Sequence, residues 1–164
     1  MSHALIPGSF DPMTLGHLDI VTRACAKYDK VTVAVMINDS KTYTHSIEER
    51  AEMARLTVAH LSQVQVVVDR GMLVDLFDRI GADVIVKGVR NEKDRAYEEQ
   101  MAAYNLGKNP RAKTVLLKAD PALDDLSSTA VREMLARGER PEGLLAPAVL
   151  QYLTARGECP AKKE

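Results

Sequence analysis

The sequence predicts an α/β protein, a doubly wound five-stranded parallel sheet with helices on both faces. Three observations carry that expectation. Strand-length apolar runs alternate five times with segments of helical periodicity, the order that parallel sheets require. Those runs are β-branched and apolar at nearly every position, as in strands covered on both faces; a half-exposed strand would alternate. No repeat, low-complexity tract or linker interrupts the pattern, so the 164 residues make one domain, long enough to bury a core.

The elements follow in order. Ala4-Leu5-Ile6 is the first strand, and an apolar-periodic helix, Leu18 to Ala26, leaves the loop after it. Lys30 to Ile37 is the second strand and ends in the turn-rich Asn38-Asp39-Ser40-Lys41. Ser46 and Glu49 form a capping box that opens a helix toward Leu61. Val64 to Val68 is the third strand, and Met72 to Ile80 a helix stopped by Gly81. Asp83 to Lys87 is the fourth strand. Asp94 then caps a helix to Asn105, which Gly107 and Pro110 end. Lys113 to Leu117 is the fifth strand. Ser127-Ser128-Thr129 opens a helix to Arg137, stopped by Gly138, and a last helix, Pro147 to Arg156, ends at Gly157. Residues 1–157 are thus the domain, with 158–164 a loose tail.

Composition narrows the function. A net charge of −1 gives no electrostatic reason for a nucleic acid or membrane partner. No apolar run is long enough to span a membrane, and no signal-peptide pattern opens the chain. Cys25 and Cys159 have neither framework nor metal spacing, and no side-chain set reads as a metal site. Cys25 is expected in the core of the first helix and Cys159 in the tail. A soluble, cytoplasmic protein is the simplest reading.

The chemistry gathers at one sheet edge. In open parallel sheets, ligands sit beyond the C-terminal strand ends where strand order reverses. The loops after strands one, two, four and five all reach that edge. The first runs from Pro7 through Ser9-Phe10-Asp11-Pro12 to Gly16-His17, where a new helix offers free N–H groups to an anion. His17 adds a donor, neutral or charged near neutral pH. Lys41 is a solvated lysine or a cation facing a phosphate. Lys87 and Arg90 flank Gly88 at the end of a buried strand and suit a polyanion. In the following helix Tyr97 and Met101 read as core, whereas Glu98 suits a ribose hydroxyl or an adenine amino group. Ser127-Ser128-Thr129 is either a run of cap residues or an anion site, and Arg132 a partner or a solvated charge.

The Ser9–Pro12 run with Gly16-His17 resembles the first motif of the HxGH/TxGH nucleotidyltransferases. Lys87-Gly88-Val89-Arg90-Asn91, Asp94, Tyr97-Glu98, Met101-Ala102, Asn105 and Leu126 to Glu133 narrow it. With those, the chain resembles the bacterial phosphopantetheine adenylyltransferases from first strand to last helix. The resemblance implies a Rossmann-like fold and a homohexamer. It implies transfer of the adenylyl group of ATP to 4′-phosphopantetheine, giving dephospho-coenzyme A and pyrophosphate, with Mg²⁺, at the penultimate step of coenzyme A biosynthesis. Coenzyme A is a candidate feedback ligand. Carried over by position, Ser9, Lys41, Leu73 and Lys87 meet phosphopantetheine. Ser9, Phe10, His17, Gly88, Val89, Arg90, Glu98, Leu123, Asp124, Asp125, Leu126, Ser127, Ser128 and Thr129 meet ATP, and His17, Lys41 and Arg90 are catalytic. Two departures stand out. Lys87 occupies a position where many relatives carry arginine, and Ala122-Leu123-Asp124-Asp125 is acidic and lacks an aromatic. That segment is expected to be a flap touching ATP through Leu123 and backbone groups. No serine, cysteine or lysine is paired with a base, so direct in-line attack needs no covalent intermediate. Competing readings are another nucleotidyltransferase, using nicotinamide mononucleotide or a cytidine nucleotide, and a nucleotide-binding regulatory module without turnover. An aminoacyl-tRNA synthetase fragment fails on chain length and on the lack of a basic surface.

Overall fold

The structure, a computed structural model, describes residues 2–123 and 126–162. Asp124 and Asp125, and with them the expected acidic flap, lie outside the described residues. Strands β1 (His3–Gly8), β2 (Lys30–Met36), β3 (Val64–Asp69), β4 (Val84–Val89) and β5 (Thr114–Lys118) form one all-parallel sheet in the order β3-β2-β1-β4-β5. The Rossmann-like expectation therefore holds. Between them lie α1 (Leu15–Lys27), α2 (Ile47–Val58), α3 (Leu73–Arg79) and α4 (Glu92–Lys108); α5 (Ser128–Ala136) and α6 (Pro147–Ala155) follow a short 3₁₀ turn, Pro121–Leu123.

Topology follows from right-handed crossovers. The chain steps from β1 to β2 to β3 in one direction, which puts α1 and α2 on one face. It then returns past β1 to β4 and β5, which puts α3 and α4 on the other. The first face packs Ile20, Val21 and Ala24 of α1 and Ala51, Ala54 and Val58 of α2 on Ala4, Ile6, Val31, Val33 and Val86. The second packs Val74, Leu76 and Phe77 on Leu5, Ala34 and Ile85. Helices α5 and α6 form an outer layer over α2 through Met53, Val131, Val149 and Leu153. No described helix is long and apolar enough to cross a membrane.

The reversal of strand order lies between β1 and β4, and there the sheet opens. β1 pairs with β2 from His3 to Gly8, but with β4 only at Ala4↔Val84 and Leu5↔Ile85. Pro7, with no N–H to give a ladder, sits in the diverging stretch. Two glycines let flanking side chains close over the gap. A Cβ on Gly88 would come within 2.8 Å of Ile20 Cγ1, and one on Gly8 within 2.7 Å of the Phe10 ring.

Four expectations need correction. Helix α1 starts at Leu15 and not Leu18, because Thr14 is its cap. Helix α4 starts at Glu92: its cap is Asn91, whose side chain accepts from the Asp94 N–H, and it runs through Gly107 to Lys108. Tyr97 and Met101 are not core residues, being 57% and 38% exposed. The chain beyond Gly157 is not loose at its start either. Cys159 is buried, and Arg140 donates to the Pro160 carbonyl at 2.9 Å, so the tail is strapped onto the outer layer.

The Gly88–Ile20 approach predicts a non-additive pair. Gly88→Ala should cost about 1–3 kcal/mol by overpacking. Ile20→Ala should cost about 2–5 kcal/mol by leaving a cavity. The double variant should lose less than the sum, because one change fills the space the other vacates. Urea denaturation of the three variants checks this.

Candidate active site

A cavity of about 590 Å³ opens at the C-terminal edge of the sheet. It gathers the predicted residues from four loops. Ser9, Phe10 and His17 come from the β1–α1 connection, Lys41 follows β2, and Lys87, Gly88 and Arg90 end β4. Glu98 reaches it from α4, and Leu123, Leu126 and Ser127 to Thr129 close it on the side of α5. Leu73 lies elsewhere, in a second cavity of about 90 Å³ with Tyr97, Met101 and Asn105. The two are joined by Lys87 and Glu98, which line both. Val89 lines neither: strand alternation buries its side chain, and its carbonyl accepts from the Ala119 N–H.

His17 is fixed by its position at the third residue of α1. The Thr14 hydroxyl accepts from the His17 N–H, and His17 Nδ1 accepts from the Thr14 N–H at 2.9 Å, a reciprocal capping box. A nitrogen that accepts carries no proton, so the ring is the neutral tautomer with its proton on Nε2. Burial, then the charges of Lys87 and Arg90, push its pKa down to about 4. The sequence left the charge of His17 open; the structure makes it a neutral donor. Phe10 stacks edge-on against it, ring centroids 5.1 Å apart, and adopts φ +48°, a left-handed conformation uncommon outside glycine.

The cations are oriented by acids. Arg90 Nε donates to Asp94 Oδ2 at 3.1 Å, which explains why Asp94 does not cap α4. Lys87 Nζ lies 3.5 Å from Glu98 Oε2, so the carboxylate expected to meet ATP also pairs with the lysine. Lys41 stands exposed at the rim. At α5 the hydroxyls are engaged within the protein. Ser127 caps the helix by accepting from the Ala130 N–H, and Ser128 donates to the Pro12 carbonyl at 2.7 Å. Thr129 accepts from Arg132, which also donates to the Asp11 carbonyl at 2.7 Å. A helix start leaves its first N–H groups without intrahelical partners, so the backbone is what α5 offers a ligand.

Sequence reasoning missed three groups. Asp11 lines the cavity, yet its carboxylate turns away to accept from the Thr44 and His45 N–H groups. Tyr43 reaches Ser9 Oγ at 3.5 Å, and Arg50 donates to the Ser9 carbonyl at 2.7 Å. A buried Arg50 has no local signal beyond its place in an ordinary amphipathic helix. Arg132, left open as partner or solvated charge, is a partner of the β1–α1 loop.

One neutral donor, four cations (Lys41, Lys87, Arg90 and Arg132) and two helix starts around a single cavity suit a polyphosphate ligand. Over residues 5–134 the chain matches the cytidylyltransferase-like family. It is 40% identical over 158 residues to a phosphopantetheine adenylyltransferase of Limosilactobacillus fermentum, covering 96% of this chain and 91% of that protein. The chain belongs to the phosphopantetheine adenylyltransferase family. A member from Symbiobacterium thermophilum is 44% identical over 153 residues, covering 93% and 94% of the two chains. One from Rhizorhabdus wittichii is 39% identical over 163 residues, 99% of both. The match thus runs past the family domain and takes in α6 and the strapped tail.

The His17 geometry has a solution signature. Nitrogen and carbon NMR shifts should show a neutral ring protonated at Nε2 from pH 8 down to about 5, where an ordinary histidine is half charged near 6.5. The unfolded chain takes up that proton first, so this residue makes stability fall with pH between the unfolded and folded values. A His17→Asn variant should lose that part of the acid sensitivity.

Proposed function

We propose that this protein transfers the adenylyl group of ATP to 4′-phosphopantetheine, forming dephospho-coenzyme A and pyrophosphate. A phosphate oxygen of 4′-phosphopantetheine attacks the α-phosphorus of ATP. The bond from that phosphorus to the oxygen leading to the β-phosphate breaks, and pyrophosphate leaves with the electron pair. The observation that carries the reading is the neutral His17 at the start of α1, lining one cavity with Lys87 and Arg90, whose charges help to keep it neutral, in a member of this family.

The attacking phosphate is already anionic at neutral pH, so no residue needs to remove a proton. Catalysis is then positioning and charge stabilisation. His17 donates to the α-phosphate. Arg90, Lys41 and the N–H groups of α5 stabilise the charge that moves onto pyrophosphate. Lys87 and Ser9 hold the phosphate of the second substrate, and the small cavity by Leu73, Tyr97 and Met101 takes its pantetheine arm. Phe10, Gly88, Arg90, Leu123 and Leu126 to Thr129 surround ATP.

Mg²⁺ enters this scheme with ATP. The described acids at the cavity are each engaged: Glu98 with Lys87, Asp94 with Arg90, and Asp11 with backbone N–H groups. No described group of three acidic, histidine or cysteine side chains suits a metal ion. An ion held by phosphate oxygens and water fits such a site, and it would neutralise charge on the triphosphate. A cytoplasmic setting accords with the substrates, and coenzyme A, which shares the pantetheine arm, is the natural feedback ligand. Tyr97, Met101, Tyr104 and Leu106 of α4 and Met72 at the cap of α3 are exposed apolar side chains, which supports assembly into a homohexamer through the α3–α4 face.

Pyrophosphate release from ATP should depend on 4′-phosphopantetheine and not on nicotinamide mononucleotide. His17→Ala should lower kcat by about 10²–10³ with ATP binding little changed, as for a donor acting mainly in the transition state. ATP binding without turnover would point instead to a regulatory module. Light scattering at micromolar protein should give the hexamer mass, and a monomer would refute the assembly.

A further inference from the structure

His45 lies outside the cavity but under its wall. It precedes the cap of α2 and is 3% exposed. Both ring nitrogens face carboxylates. Nδ1 is 2.9 Å from Asp11 Oδ1, and Nε2 is 2.7 Å from Glu158 Oε1. A neutral imidazole donates through one nitrogen only, so one of these contacts would set a lone pair against a carboxylate. The geometry therefore suits an imidazolium bridging the β1–α1 loop and the C-terminal strap.

Asp11 faces the ring from the β1–α1 loop, and Glu158 from the tail. Glu49 and Arg50 approach from α2, with Arg50 Nε donating to the His45 carbonyl at 3.2 Å. Arg156 bonds both Glu49 and Glu158, the latter at 2.7 Å, and Arg132 of α5 sits on the Asp11 carbonyl. The hydrogen bond to Asp11 raises the His45 pKa, burial lowers it, and the Glu158 bond raises it further, with a net rise. Stability from this charge is present below the unfolded value and fades as pH rises through the folded one.

Asp11 connects this ion to the site. Its carboxylate is gripped by His45 and two backbone N–H groups, and its own carbonyl holds Arg132. The next carbonyl, of Pro12, holds Ser128 at the start of α5. Moving Asp11 moves the phosphate-facing end of α5 and the loop carrying Phe10.

We propose that His45 is a positioning residue: through its bond to Asp11 it keeps the β1–α1 loop and the α5 start in their ligand-binding arrangement, while Glu158 favours the charged ring. The kinetic arm of the test rests on the adenylyl-transfer reading; the spectroscopic arm does not. Asparagine places its amide nitrogen where Nδ1 lies, and glutamine where Nε2 lies. H45N therefore keeps the Asp11 bond, and H45Q keeps the Glu158 bond. H45Q should lose about ten- to a hundredfold in kcat/KM for ATP, as misplacement near the reacting groups does. H45N should stay within roughly threefold of the parent. Equal losses in the two variants, or none in either, would overturn the proposal. Separately, His45 should titrate at lower pH in Glu158→Gln than in the parent by NMR, because the half-buried carboxylate is replaced by an isosteric amide. An unchanged titration would also overturn it. Absence of turnover in the parent protein would refute the adenylyl-transfer reading instead, and calorimetric ATP binding to H45N and H45Q would then decide the positioning role by the same ordering.

Discussion

The cavity wall depends on one buried guanidinium. Arg50 is 1% exposed and donates Nη1 to the carbonyls of Ser9 and Met36 and Nε to that of His45. These carbonyls belong to the loop after β1, the end of β2 and the approach to α2. Burial lowers its pKa, but a guanidinium starts so high that it remains charged. Such a charge is tolerated only when dipoles surround it. Three carbonyls do so, and the Tyr43 ring, 3.9 Å from the guanidinium carbon, covers the rest. The loops after β1 and β2 therefore form one body. Tyr43 extends it, its hydroxyl accepting from the Asn38 N–H at 2.7 Å, so the exposed Lys41 sits on a short loop tethered at both ends.

This arrangement explains what was legible in the sequence. Strands covered on both faces leave a continuous apolar signature, so all five strands and their parallel arrangement follow from pattern, while their order β3-β2-β1-β4-β5 came from the structure. The cavity loops were legible because glycines and cations at strand ends are rare without a reason. The start of α4 was not, since Asn91 and Asp94 are equally good caps and only the demand of Arg90 for a carboxylate decides between them. Tyr97 and Met101 misled for a related reason: apolar spacing on a helix is the same whether the face meets its own core or another surface. The strap was invisible because Asp11, His45 and Glu158 are far apart in sequence, and each alone reads as an ordinary turn or tail residue.

Electrostatics give the last link between fold and chemistry. Lys41, Lys87, Arg90, Arg132 and two helix starts already concentrate positive charge in one cavity of a chain whose net charge is −1. Another cation would add repulsion and hold an anion more tightly before and after reaction alike, which lowers KM without raising kcat. A histidine held neutral avoids this. The Thr14 N–H occupies Nδ1, while burial and the two nearby cations disfavour a second proton. The Nε2–H is left as a fixed dipole near neutral pH. For the displacement at phosphorus proposed for this site, where charge shifts between oxygens and no proton has to move, a donor of constant charge aimed by the helix backbone is what preorganisation demands.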